Sequence, residues 1–271
     1  MSPRINPLLL ARLQERLPDI SAERLTPLQG LTGHSCKLES EQGAFVARPA
    51  PQPPIPFVDR QREARLLRKL HPSGLTPRPL LGDAQLLLLP WREGEPLSPQ
   101  RFHQRRDEVV ALLLRLHRQP QTGYRLQLLP LLQRYWQLCR QRHLGWQRAL
   151  RRLAQAGEPA PLRLAPLHMD VHAGNLIADA QGLHLIDWEY AADGDVALEL
   201  AALCAADPDR AESWLEAYAG AAHLSPAALA RQVARWQPWL RLLMASWYQL
   251  RAEQSDDASL RQLARQSWQT L

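Results

Sequence analysis

Four side chains between residues 168 and 187 have the types and spacing that chemistry on phosphate requires. His168, Asp170 and Asn175 stand as H-x-D-x-x-x-x-N, and the apolar pair Leu185-Ile186 ends on Asp187. A carboxylate early in such a loop can accept a hydrogen bond from an attacking hydroxyl, orient it and take its proton late. An amide five residues on, and a carboxylate at the end of a strand, offer the hard oxygen donors that Mg²⁺ prefers, with phosphate oxygens completing its shell. Phosphoryl transfer needs positioning and charge stabilisation more than covalent help from protein. Asp170 is therefore read as the catalytic group, and Asn175 and Asp187 as metal ligands.

The elements around these residues are chosen to bring them together. Asn175-Leu176-Ile177-Ala178 and Leu183-His184-Leu185-Ile186 flank Asp179-Ala180-Gln181-Gly182, whose acid and glycine suit a tight turn. The predicted hairpin returns the chain so that Asn175 and Asp187 can share one ion. His168 is read as a structural pin for the loop and His172 as a polar loop residue. Asp195 precedes the helical run Val196 to Ala202 and is read as its N-cap, bracing the loop.

A nucleotide also needs positive charge near its phosphates. Leu28 to Glu39 leads into strand-like sequence, Gln42-Gly43 is a turn, and Ala44 to Arg48 is a second strand, so the pair predicts a hairpin ending on Arg48. Arg48 is always charged and grips phosphate with two donors. Glu63, on a predicted helix over 58–70, is placed to hold it by an ion pair. The turn Gly30-Leu31-Thr32-Gly33-His34-Ser35 would cover the phosphates with backbone N–H groups, which adds Gly33 and Ser35 to the ATP-binding candidates, although it lacks the three glycines of G-x-G-x-x-G.

The organisation is α+β. Residues 1–90 read as a small lobe of strands and one principal helix, with prolines 49–56 forming an extended loop and Leu86 to Leu89 a buried strand. After a linker near 90–94, residues 91–271 read as mainly helical: 107–117, one or two helices over 128–156, then 196–204, 209–219, 226–251 and 258–268. Cys36, Cys139 and Cys204 lie far apart with no C-x-x-C pair, which disfavours disulfides and zinc and suits a reducing cytoplasm. Residues 1–20 lack a signal-peptide core, and no run of 18 apolar residues could span a membrane. The net charge of +6 comes from arginines spread among acids and leucines, so it predicts solvated helix faces in place of a nucleic-acid stripe.

His168-x-Asp170-x4-Asn175 with Ile186-Asp187-Trp188-Glu189 resembles the aminoglycoside phosphotransferase and choline kinase superfamily, which implies a protein-kinase-like two-lobed fold. Three segments, Pro166 to Leu176, Leu185 to Ala191 and Asp193 to Ala202, look like those of bacterial thiamine kinases. That resemblance implies ATP as co-substrate, Mg²⁺ as cofactor, and phosphorylation of the hydroxyethyl group of thiamine in vitamin salvage. Two departures concern the phosphate contacts: Arg48 stands where the superfamily has lysine, and His34 interrupts the glycine turn.

The residues leave the acceptor open. An aminoglycoside pocket should be rich in carboxylates, whereas the C-terminal helices here are rich in arginine and tryptophan. Two or three of Trp236, Trp239 and Trp247 could form a flat pocket suited to a singly cationic alcohol. Thiamine fits, and so does choline or another amino alcohol. A binding module without catalysis is the competing class, and intact Asp170, Asn175 and Asp187 argue against it. The acceptor-pocket residues and the oligomeric state are left unassigned.

Overall fold

A computed structural model describes residues 7–28, 35–269 and 271. The chain divides into two compact units, the first formed by the residues up to Pro96 together with Asn175–Ala191, the second by Leu97–Gly174 and Ala192–Leu271. The first unit therefore takes in the 175–191 hairpin, which a division at residue 90 leaves in the second.

In chain order the first unit contains helix α1 (Pro7–Gln14), strands β1 (Leu25–Pro27), β2 (Cys36–Ser40) and β3 (Gly43–Pro49), helix α2 (Arg60–Leu70), and strands β4 (Leu81–Gly82), β5 (Leu86–Pro90) and β6 (Glu95–Pro96). The second begins with α3 (Pro99–Gln104), α4 (Arg106–His117), α5 (Leu128–Leu138), α6 (Leu144–Ala156) and β7 (Leu164–Leu167). The chain then rejoins the first unit through β8 (Leu176–Asp179) and β9 (Gly182–Leu185). It closes in the second unit with β10 (Ala192–Asp195), α7 (Val196–Ala206), α8 (Ala211–Ala222), α9 (Pro226–Gln254) and α10 (Ala258–Gln269).

Five strands of the first unit form an antiparallel sheet in the order β1-β2-β3-β5-β4. Period-two alternation puts Cys36 and Leu38 of β2 opposite Ala47 and Phe45 of β3 on one buried face. Leu86 and Leu88 of β5 and Leu13, Leu17 and Ile20 from the α1 region complete that core. Each fully buried leucine there contributes on the order of 2 kcal/mol by leaving water. Helix α2 starts at the N-cap Asp59, whose side chain accepts from the Arg62 N–H at 2.9 Å. It buries Ala64, Leu66, Leu67 and Leu70, and with them two charged residues, Arg60 and Glu63. Buried charge on a helix demands partners.

The hairpin β8–β9 turns in two residues between Asp179 and Gly182, where Gly182 takes a φ of +125° that L side chains rarely adopt. β6 adds to its other edge, pairing Glu95 with Ala178. Gly94 must be glycine there, because a Cβ would sit 2.6 Å from Ile177 and 2.7 Å from the Ala178 carbonyl oxygen. In the second unit β7 and β10 pair antiparallel and bracket the 168–174 loop in sequence. Helix α7 is apolar nearly all round, which marks it as central, and its single charged residue is Glu199. No described helix is long and apolar enough to cross a membrane.

Candidate active site

The first unit holds the two residues read as metal ligands at the open end of one hairpin. Leu176 pairs with Leu185, and the Ile186 N–H donates to the Asn175 carbonyl at 3.0 Å, so Asn175 lies across from Ile186 and beside Asp187. Asn175 is buried, and the Asp187 side chain keeps 34% of its surface exposed. Asp187 adopts φ +64°, a left-handed conformation that costs a non-glycine residue on the order of 1 kcal/mol or more. Trp188, buried behind it, anchors the turn by donating its indole N–H to the Leu185 carbonyl at 3.1 Å.

Arg48, the penultimate residue of β3, lies inside a knot of charge. One guanidinium nitrogen donates to Glu63 at 2.9 Å; the other donates to Glu189 at 2.9 Å and to Asp187. Arg60 of α2 donates to Glu63 at 2.8 Å, to Glu189 at 2.9 Å and to the Pro49 carbonyl at 3.1 Å. Two guanidiniums thus face three carboxylates, four of the five groups are buried, and the fifth, Asp187, is half-buried. The knot carries one negative charge in excess. Burial alone would lower the Arg48 pKa, but attraction from Asp187, Glu63 and Glu189 outweighs it and holds the pKa above the ordinary arginine value. Glu189 is pushed the other way: burial and then the repulsion of Asp187 raise its pKa, with Arg48 and Arg60 pulling against them.

The loop holding Asp170 belongs to the second unit and is fastened from α7. Glu199 accepts the His168 N–H at 3.0 Å and the Met169 N–H at 2.5 Å, and its second oxygen lies 3.0 Å from His117 Nε2. Burial would raise the Glu199 pKa, but these hydrogen bonds and the neighbouring histidines lower it overall. His168 is buried, and its Nδ1 accepts the Asp170 N–H at 3.3 Å. His172 Nε2 lies 3.7 Å from an Asp170 oxygen. Asp195 caps α7 and also accepts from Gln232 at 2.7 Å and Trp236 at 2.8 Å, tying α9 to the start of α7.

Of the ATP-binding candidates, Arg48 and Glu63 form the anticipated pair. Ser35 is half-buried, and its carbonyl accepts from the Leu28 N–H at 2.9 Å. Gly33 lies outside the described residues. The aromatic pocket needs correction: Trp236 and Trp239 are buried in packing, with Trp236 engaged by Asp195, so neither offers an open face. Trp247 and Tyr248 on α9 remain half-buried, with ring centroids 5.2 Å apart. The Tyr248 hydroxyl has its pKa raised by burial and, next, by the charge of Asp170. Sequence reasoning missed Arg60 and the partnership of Glu189. The signal was present in the acid two positions after Asp187 and an arginine three before Glu63, but such spacing also describes any solvated face.

The chain is a phosphotransferase by family: it belongs to the phosphotransferase enzyme family, whose model matches residues 24–239. It is 43% identical over 244 residues to thiamine kinase of Escherichia coli K12, covering 89% of this chain and 88% of that protein. Thiamine kinase of an E. coli O157:H7 strain matches with the same identity and coverage. Among solved structures, choline kinase LicA from Streptococcus pneumoniae superposes with a TM-score of 0.76 at 18% identity, covering 97% of this chain and all of that one. A choline/ethanolamine kinase family protein from Mesorhizobium loti does so with a TM-score of 0.70 at 22% identity, covering 97% and 93%. These likenesses give the fold: kinase-like, with a small antiparallel-sheet lobe and a mainly helical one.

Proposed function

We propose that this chain is a kinase that uses ATP and Mg²⁺ to phosphorylate the hydroxyethyl group of thiamine, giving thiamine monophosphate. The observation that carries the acceptor is the 43% identity to thiamine kinases across nearly nine-tenths of the chain. The half-buried Trp247–Tyr248 pair beside the influence of Asp170 supports a flat, cationic alcohol.

The donor set suits the metal. Among the described residues no group of three or more His, Cys, Asp or Glu is arranged to hold an ion. Asn175 and Asp187 supply two hard oxygens from one hairpin end, and Mg²⁺ habitually completes such a pair with phosphate oxygens and water. The excess negative charge of the Arg48 knot favours a cation at Asp187. Bound there with ATP, the ion would screen the β- and γ-phosphate oxygens.

The residues then divide the work. Asp170 accepts the acceptor's O–H hydrogen bond and takes its proton as the oxygen–phosphorus bond forms and the bond to ADP breaks. Arg48, held by Glu63 and Glu189, keeps fixed positive charge where the α- and β-phosphates bind, with Gly33 and Ser35 offering backbone N–H groups. His168 and Asp195 position the loop and the helix behind it. The chain acts from solution in the cytoplasm, without nucleic acid or membrane as partner.

Purified protein assayed with ATP, Mg²⁺ and a panel of hydroxylated cations tests the assignment. Thiamine should give the highest kcat/KM. Phosphorylation of choline, an amino alcohol or an aminoglycoside with none of thiamine would overturn it, and absence of any Mg²⁺-dependent ATP binding would return the chain to the inactive binding class.

A further inference from the structure

We propose that His117 and Tyr218 are positioning residues for phosphoryl transfer, acting through Glu199 on the loop that presents Asp170; the inference rests on Asp170 being the catalytic group.

The loop has a built-in tension. Met169, immediately before Asp170, holds φ +67°, a left-handed conformation that a methionine leaves unless something retains it. What retains it is the N–H bond from Met169 to Glu199 Oε1 at 2.5 Å, supported by the His168 N–H at 3.0 Å. The direction in which Asp170 leaves the backbone therefore depends on where the Glu199 carboxylate stands. Glu199 sits on a helix with no other charge, fully surrounded, so its position is set by its partners.

One of those partners comes from outside the loop. His117 ends α4, and its Nε2 lies 3.0 Å from Glu199 Oε2; its Nδ1 lies 2.6 Å from the Tyr218 hydroxyl of α8. An ionised carboxylate only accepts, so Nε2 carries the proton toward Glu199. In the neutral ring Nδ1 is then the acceptor, and the Tyr218 O–H donates to it. Burial, and next the charge of Glu199, raise the Tyr218 pKa, which keeps that proton in place. The two rings meet edge-on with centroids 5.5 Å apart. All three side chains are buried, so the relay is shielded from competing water. Tyrosine, histidine and glutamate thus fix the second oxygen of the carboxylate whose first oxygen holds Met169.

A core role alone would explain burial, but it predicts loss of stability in step with any loss of activity. The full chain carrying Tyr218→Phe keeps the ring and deletes one hydroxyl. We expect kcat to fall about tenfold while the KM for ATP stays within about twofold and the far-UV and near-UV spectra are unchanged, as for an interaction expressed in the transition state. Amide exchange in the peptide covering 167–171 should accelerate in the same variant. His117→Gln can still donate to Glu199 and should retain most of the turnover, whereas His117→Leu should lose more than Tyr218→Phe. Wild-type kcat and wild-type exchange in both Tyr218→Phe and His117→Leu would overturn the inference. So would kcat losses that track unfolding and vanish on cooling. The exchange measurement needs no acceptor, so it stands if thiamine is the wrong alcohol; wild-type protein inactive toward every alcohol would instead refute the proposed function.

Discussion

Two buried acids govern the two units in opposite ways. In the first unit Glu189 shares its charge with two guanidiniums and crowds two further carboxylates, Glu63 and Asp187. In the second, Glu199 is satisfied chiefly by backbone N–H groups and one imidazole. The first arrangement is a pool of charge shared among five side chains, with one carboxylate more than guanidiniums. The second is a clamp, because backbone donors cannot swing away. A shared pool of charge can redistribute among its members, whereas a clamp of backbone donors holds one carboxylate still.

The sharpest break in this comparison comes from the group the clamp serves. Asp170→Asn should lower kcat by about 10³-fold or more while ATP binding, followed by calorimetry, stays within about threefold. Survival of most of the activity would remove Asp170 from catalysis.

Next comes the pool. Arg48→Ala leaves Glu63, Asp187 and Glu189 without their shared partner and should cost about 3–5 kcal/mol of stability in urea unfolding, together with most of the ATP affinity. Arg48→Lys should restore part of the stability, but not the three-way contact, because an ammonium lacks the fork. Equal recovery of both properties by lysine would mean that the knot needs charge alone.

The clamp should show itself in acid. The Glu199 pKa is lowered in the folded protein, so its contribution to stability is present above the ordinary glutamate value of 4.5 and is lost as pH falls below that toward its folded pKa. Urea midpoints measured from pH 7 down to about 3 should fall more gently for Glu199→Gln than for the wild type. Parallel curves would leave Glu199 without its assigned linkage. The smallest effect is expected where α9 meets the start of α7: Trp236→Phe removes one donor to Asp195 and should cost about 1–2 kcal/mol with little change in kcat.

Much of this was legible in one dimension. The hairpin over 176–185 follows from alternating apolar residues and an acid–glycine turn, and the helices over 106–117, 196–206 and 226–254 follow from their apolar spacing. Arg48 and Glu63 were readable because a strand and the following helix are neighbours in sequence. Short two-residue strands such as β4 and β6 were not, since they hold too few residues for a period. The Trp236–Trp239 pair was misread because a tryptophan's burial depends on what covers it.

The sequence by itself determined which groups are candidates for the chemistry, since the spacing of Asp170, Asn175 and Asp187 is a property of one loop and one hairpin. Tertiary structure alone decided what holds them. Arg48 meets Glu189 across 141 positions, and His117 meets Glu199 across 82 and Tyr218 across 101. A buried charge is stable only with its partner, and partners so distant along the chain are chosen by packing, which no local pattern records.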